Sequence, residues 1–75
     1  MSRKVTELSK KMGRELKERR VRKGYTIKYV SKKTGICPLM LLFYENGLLE
    51  PDLCRIFSLL KLYEVNTRSF FNAVE

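Results

Sequence analysis

The chain has no histidine and no tryptophan, and only two cysteines, two prolines and four glycines in 75 residues. Without histidine, the side chain that most often serves as general acid or base and as metal ligand is missing. Cys37 and Cys54, with no other soft ligand, do not make a zinc site. There are no paired carboxylates at useful spacing and no glycine-rich phosphate loop. The expectation is a protein that is not an enzyme and holds no metal and no cofactor. Cys37, at a helix start, is placed where a thiol can become reactive, but its expected role is packing beside a cap. Both cysteines are expected as buried free thiols in a reducing cytosol. No apolar run approaches the roughly 20 residues of a membrane span. The opening MSRKVTELSKK has charge without an apolar core, so it does not read as a secretory signal. The expected setting is the cytoplasm, with no membrane partner.

What is present is charge of one sign, unevenly spread. Sixteen Lys and Arg against eight Asp and Glu give a net charge of +8. Residues 1–33 hold thirteen basic and three acidic side chains, and residues 34–75 hold three basic and five acidic. One half is therefore a cation of +10 and the other is at −2. Solubility alone does not require that asymmetry. Nucleic-acid phosphate is the first partner it suggests, ahead of an anionic membrane or an acidic protein. At 44% hydrophobic the chain is too apolar for disorder. Its apolar residues recur at helical spacing with no long alternating runs, which predicts an all-α fold.

In chain order, Val5, Leu8, Met12 and Leu16 make one apolar stripe, so residues 1–24 read as a helix or as a tail leading into one. Residues 1–11 form a basic N-terminal arm or helix extension, and 12–75 the domain proper. Gly24 stops the first helix. Thr26 caps a second, roughly Ile27 to Thr34, whose Lys28 and Lys32 repel each other slightly at their i,i+4 spacing. A helix facing phosphate gains from that pair, whereas a purely structural helix does not. Gly35 turns the chain and Ile36 plugs the turn. A third helix starts at Pro38 and runs to about Asn46. Positions 38 to 44 are all apolar, and a helix apolar all round is normally covered on every side. A fourth helix opens at Pro51-Asp52 and reaches Tyr63, with Leu53, Ile56, Phe57, Leu59, Leu60 and Tyr63 as its apolar face. Asn66 or Thr67 caps a fifth, Arg68 to about Val74.

A short helix, a glycine turn with an aliphatic plug, and a second short helix is the build of a helix-turn-helix. The sequence resembles the Cro/CI-type, or XRE-type, helix-turn-helix repressors over about residues 12–71. The resemblance lies in MGRELKERRVRKGYT, VSKKTGI at the turn, YENG, then EP, and LYEVNTRSFF. It implies a compact five-helix, lambda-repressor-like domain and a cytoplasmic, nucleoid-associated transcription regulator that binds double-stranded DNA as a dimer. It implies an ion pair between Arg19 and Glu45, joining the first helix to the end of the third. It also puts Leu16, Val30, Ile36, Leu41, Tyr44, Ile56, Leu59, Tyr63, Val65 and Phe70 in the core. Two departures stand out. Ile27 replaces a phosphate-binding glutamine. Cys37, Pro38, Leu39, Leu42 and Phe43 occupy positions that are usually polar and point at bases, and none offers a useful hydrogen bond to a base edge.

Two functions follow. In the first, Arg14, Arg22, Lys28, Lys32 and Lys33 hold phosphates and Arg3 and Lys4 act as a basic arm, so that the chain is a DNA-binding repressor. In the second, Cys37, Pro38, Leu39, Leu42 and Phe43 form an interface for another protein, as an anti-repressor or antiactivator would use. Homodimerisation through Phe70, Phe71 and Val74 is a further expectation, with plain core as the other reading of those residues.

Overall fold

A computed structural model of the protein describes the backbone of residues 2–74 and the side chains of residues 7–74. Among the described residues there are five helices and no strand: α1 (Ser2–Arg22), α2 (Ile27–Thr34), α3 (Pro38–Glu45), α4 (Leu53–Tyr63) and α5 (Thr67–Val74). Local signals set the boundaries. Thr26 accepts a hydrogen bond from Tyr29 N (3.0 Å), Asp52 from Arg55 N (2.8 Å) and Asn66 from Arg68 N (2.8 Å), each satisfying a donor that its helix start leaves free. Pro38 sits at the start of α3, where its missing N–H costs nothing. Gly35, at φ 77°, ends α2 in the left-handed region and donates its N–H to Ser31 O.

The core is one cluster: Met12, Leu16, Val30, Ile36, Leu41, Tyr44, Ile56, Leu59, Leu60, Tyr63, Phe70 and Val74. Every core position expected from the resemblance is in it except Val65, which is half-buried against its edge. α1 packs on α3, α4 and α5, and α2 packs on α3 and α4. The radius of gyration, 11.4 Å, is that of one packed domain of this length, about 11 Å.

The closest approach is between α1 and the end of α3. A Cβ on Gly13 would lie 2.2 Å from Tyr44 O and 2.7 Å from Glu45 O. Gly13, a glycine inside α1, is therefore the place where two backbones touch. Nearby, Ser9 Oγ donates to Glu50 Oε2 (2.5 Å), tying α1 to the segment that follows α3.

Four expectations need correction. Arg19 does not pair with Glu45; it pairs with Glu15 one turn back on α1, at 2.9 Å. Arg20 holds Glu45 instead, because it continues the buried stripe Met12–Leu16 by another four residues while Arg19 points about 100° away. Phe70 and Val74 are 0% and 2% exposed, so they belong to the core and offer no dimer surface; Phe71 is half-buried edge-on to Phe70. Both cysteines are free and exposed, one preceding α3 and the other in the first turn of α4, outside the packed faces. On α4, Leu53 and Phe57 are exposed and leave the inward face to Ile56, Leu59, Leu60 and Tyr63.

Candidate nucleic-acid interface

α3 is apolar throughout but has two unlike sides. Leu41 and Tyr44 are buried at 2% exposure, with Met40 half-buried beside them. Leu39 is 56% and Leu42 42% exposed, and Pro38 and Cys37 are exposed as well. Phe43, half-buried, flanks this outer face. At about 100° per residue, Leu39, Leu42 and Phe43 lie within one arc opposite the core contacts. The expectation that an all-apolar helix is covered on every side fails here. Its outer arc is open among the described residues.

The orientation of α3 is fixed from its C-terminal end. Arg20 donates through Nε to Glu45 Oε2 (2.7 Å) and through Nη2 to Glu45 Oε1 (3.1 Å). Its Nη1 donates to Tyr25 O (2.8 Å), just ahead of α2. One guanidinium thus joins α1, the start of α2 and the end of α3. The hydrogen bond to Glu45 raises the Arg20 pKa further, against the opposing effect of burial. Tyr63 lies close enough to feel both charges. Burial chiefly, and then the Glu45 carboxylate, push its hydroxyl well above the ordinary tyrosine value, while Arg20 pulls the other way. Among the described residues no buried side-chain nitrogen or oxygen lacks a partner.

The candidate phosphate ligands do not form one group. Lys28 and Lys32 are exposed on the side of α2 opposite Val30, one turn apart. Tyr29 lies beside them, its ring 4.7 Å from that of Tyr25, which in turn lies 6.3 Å from Tyr63. Lys33 turns away from Lys28 and Lys32. Its Nζ is 5.6 Å from the centre of the Tyr29 ring, and it lines a groove between α2 and α4 with Tyr25, Lys61 and Glu64. Arg14 is exposed next to Gly13, on the flank of α1 that meets the end of α3. Arg22 belongs to another place, a hollow lined also by Arg19, Lys23, Tyr63 and Glu64. There Lys23 Nζ pairs with Glu64 at 2.5 Å. That contact raises the lysine pKa and lowers that of the glutamate. The side chains of Arg3 and Lys4 lie outside the described residues, and their backbone continues α1.

Two residues at this face did not emerge from the sequence. Lys10 packs its chain against Gly47, where an added Cβ would lie 2.7 Å from Lys10 Cγ. It stands one turn before Arg14, so the two cations flank the C-terminal end of α3; the signal for it was that i,i+4 spacing. Asn46, the C-cap of α3, is exposed and lies three residues beyond Phe43. Among the described residues, no three His, Cys, Asp or Glu side chains cluster to hold a metal, and no helix is long and apolar enough to cross a membrane.

The arrangement is thus an exposed apolar helix about 12 Å long, with Lys28 and Lys32 on the helix before it and Lys10 and Arg14 at its far end. The model of the helix-turn-helix family matches residues 16–70, most of the chain and all of α2, the turn and α3. No curated protein matches the sequence.

Proposed function

The chain belongs to the XRE-type helix-turn-helix family, and from that premise we propose that it is a repressor-type transcription regulator that binds double-stranded DNA as a dimer. In this reading α3 lies in the major groove and α2 crosses the backbone. Lys28 and Lys32 hold phosphates on one wall of the groove, and Arg14 with Lys10 holds them on the other. Lys33 and Arg22 act over longer range, and Arg3 and Lys4 extend the cationic helix. The protein acts in the cytoplasm, on the nucleoid. The observation that carries the reading is the set of exposed cations on α2, one helix before α3, together with Lys10 and Arg14 beside the end of α3.

The test is a titration against duplex DNA at low and at near-physiological salt. Lys28→Ala with Lys32→Ala is expected to weaken binding to all sequences and to reduce the slope of log K against log salt by about two, close to one per phosphate released. A parent protein that binds no duplex at low salt removes the proposal.

A second reading is favoured by the exposure of Leu39 and Leu42. Large exposed apolar side chains side by side mark protein-binding surfaces. An anti-repressor or antiactivator would give α3 to another regulator and leave DNA alone. If Leu42→Glu leaves duplex affinity untouched, α3 does not enter the groove and its outer arc is free for a protein partner; if the parent binds no duplex at all, this second reading prevails.

A further inference from the structure

A recognition helix without polar groups has few ways to read bases. The outward residues of α3 are Pro38, Leu39 and Leu42, with Phe43 at the edge. None of these side chains donates or accepts a hydrogen bond. The Tyr44 hydroxyl belongs to a side chain 2% exposed, and Glu45 is held by Arg20. The Cys37 thiol is a weak donor at best. Asn46 lies past the last turn, whereas a recognition helix meets base edges chiefly with its N-terminal residues.

In the major groove, guanine, cytosine and adenine each present polar edges, and thymine adds a C5-methyl group. An apolar side chain laid over a G·C edge strips water from donors and acceptors and returns nothing. Laid over thymine, it covers a methyl.

Resting on the DNA-binding reading above, we infer that α3 selects its site through C5-methyl groups, with Leu39, Leu42 and Phe43 as the contacting side chains and thymine-rich steps as the preferred sequence. Lys28 and Lys32 on α2, with Lys10 and Arg14 where α1 meets the end of α3, supply the phosphate affinity that the apolar arc itself lacks. Because the methyl of 5-methylcytosine sits on the same ring position, methylated cytosine is recognised in the same way, and site choice responds to cytosine methylation.

The experiment uses one mixed-sequence duplex made in three chemistries: with thymine, with uracil in place of thymine, and with 5-methylcytosine in place of cytosine. Uracil keeps every hydrogen-bonding group and lacks only the methyl. Affinity is expected to fall about fourfold for each thymine methyl that is covered, and to rise when cytosine is methylated. Leu39→Ala with Leu42→Ala is expected to bring the three duplexes together. Both side chains are exposed, so the fold does not depend on them. Lys28→Ala with Lys32→Ala lowers all three affinities in proportion and keeps their ratios. Equal affinity of the parent for all three duplexes overturns the inference while leaving DNA binding standing. Differences left undiminished in the leucine variant overturn it too, since they then arise from duplex shape and not from these contacts. Failure to bind any of the three at low salt removes DNA binding itself and assigns the apolar arc to a protein partner.

Discussion

Arg19 and Arg20 are neighbours in sequence with different roles. Arg20 is spent on a bidentate contact with a carboxylate whose side chain is 6% exposed, while Arg19 reaches back along its own helix to Glu15. Removing one partner of a buried pair leaves a charge without solvent or counter-ion. Arg20→Ala is therefore expected to cost about 3 kcal/mol in urea unfolding, and Arg19→Ala no more than about 0.5 kcal/mol. Equal costs would show that the pairing is wrong. Tyr63 carries a second consequence at this scale. Its hydroxyl stays protonated in the folded chain to a higher pH than in the unfolded chain, which ionises near 10. Below that pH neither state has lost the proton and the contribution to stability is complete. Above it the unfolded state releases a proton that the native state keeps, so stability falls as pH rises. Unfolding free energy is expected to decline by up to about 1.4 kcal/mol per pH unit above pH 10, and Tyr63→Phe to remove that share of the slope.

Among the elements, α1 and α3 meet through their backbones. Gly13→Ala places a methyl inside the contact distance of two carbonyl oxygens, and backbone cannot swing aside as a flexible side chain can. The gain in helix propensity, roughly 1 kcal/mol, is expected to be outweighed. A net loss of about 2 kcal/mol would lower the melting temperature by roughly 10 °C, read by circular dichroism. The helix boundaries were legible in sequence because single residues mark them: Thr26, Gly35, Pro38, Asp52 and Asn66 each do so by their own chemistry. The ion-pair register was misread as Arg19, although the 12–16–20 spacing carries the buried stripe to Arg20. The two sides of α3 were not legible. Periodicity reports a face only when polar and apolar residues alternate around the helix, and positions 38 to 44 offer no contrast. The grouping of the cations was equally hidden. Lys32 and Lys33 are adjacent in sequence and both exposed, yet only Lys33 lies by the Tyr29 ring and lines the groove toward α4.

For the whole molecule, the split between a cationic and a mildly acidic half bears on assembly. Two copies at +8 repel, so the contact of the dimer proposed above is best placed away from residues 1–33. Leu48, Leu49, Leu53 and Phe57 are exposed in the other half, from 44% to 67%. Phe57→Glu is expected to yield a monomer in sedimentation and to weaken binding to a two-half-site duplex, with the melting temperature little changed. An unaltered dimer would place the contact elsewhere. The open arc of α3 has a consequence on an evolutionary timescale. Leu39 and Leu42 contribute little to the core, while Leu41, Tyr44 and Glu45 hold the helix in place. Mutation can therefore rewrite the outer residues one at a time without an intermediate that fails to fold. The outer surface of the helix can change while the frame that presents it stays the same.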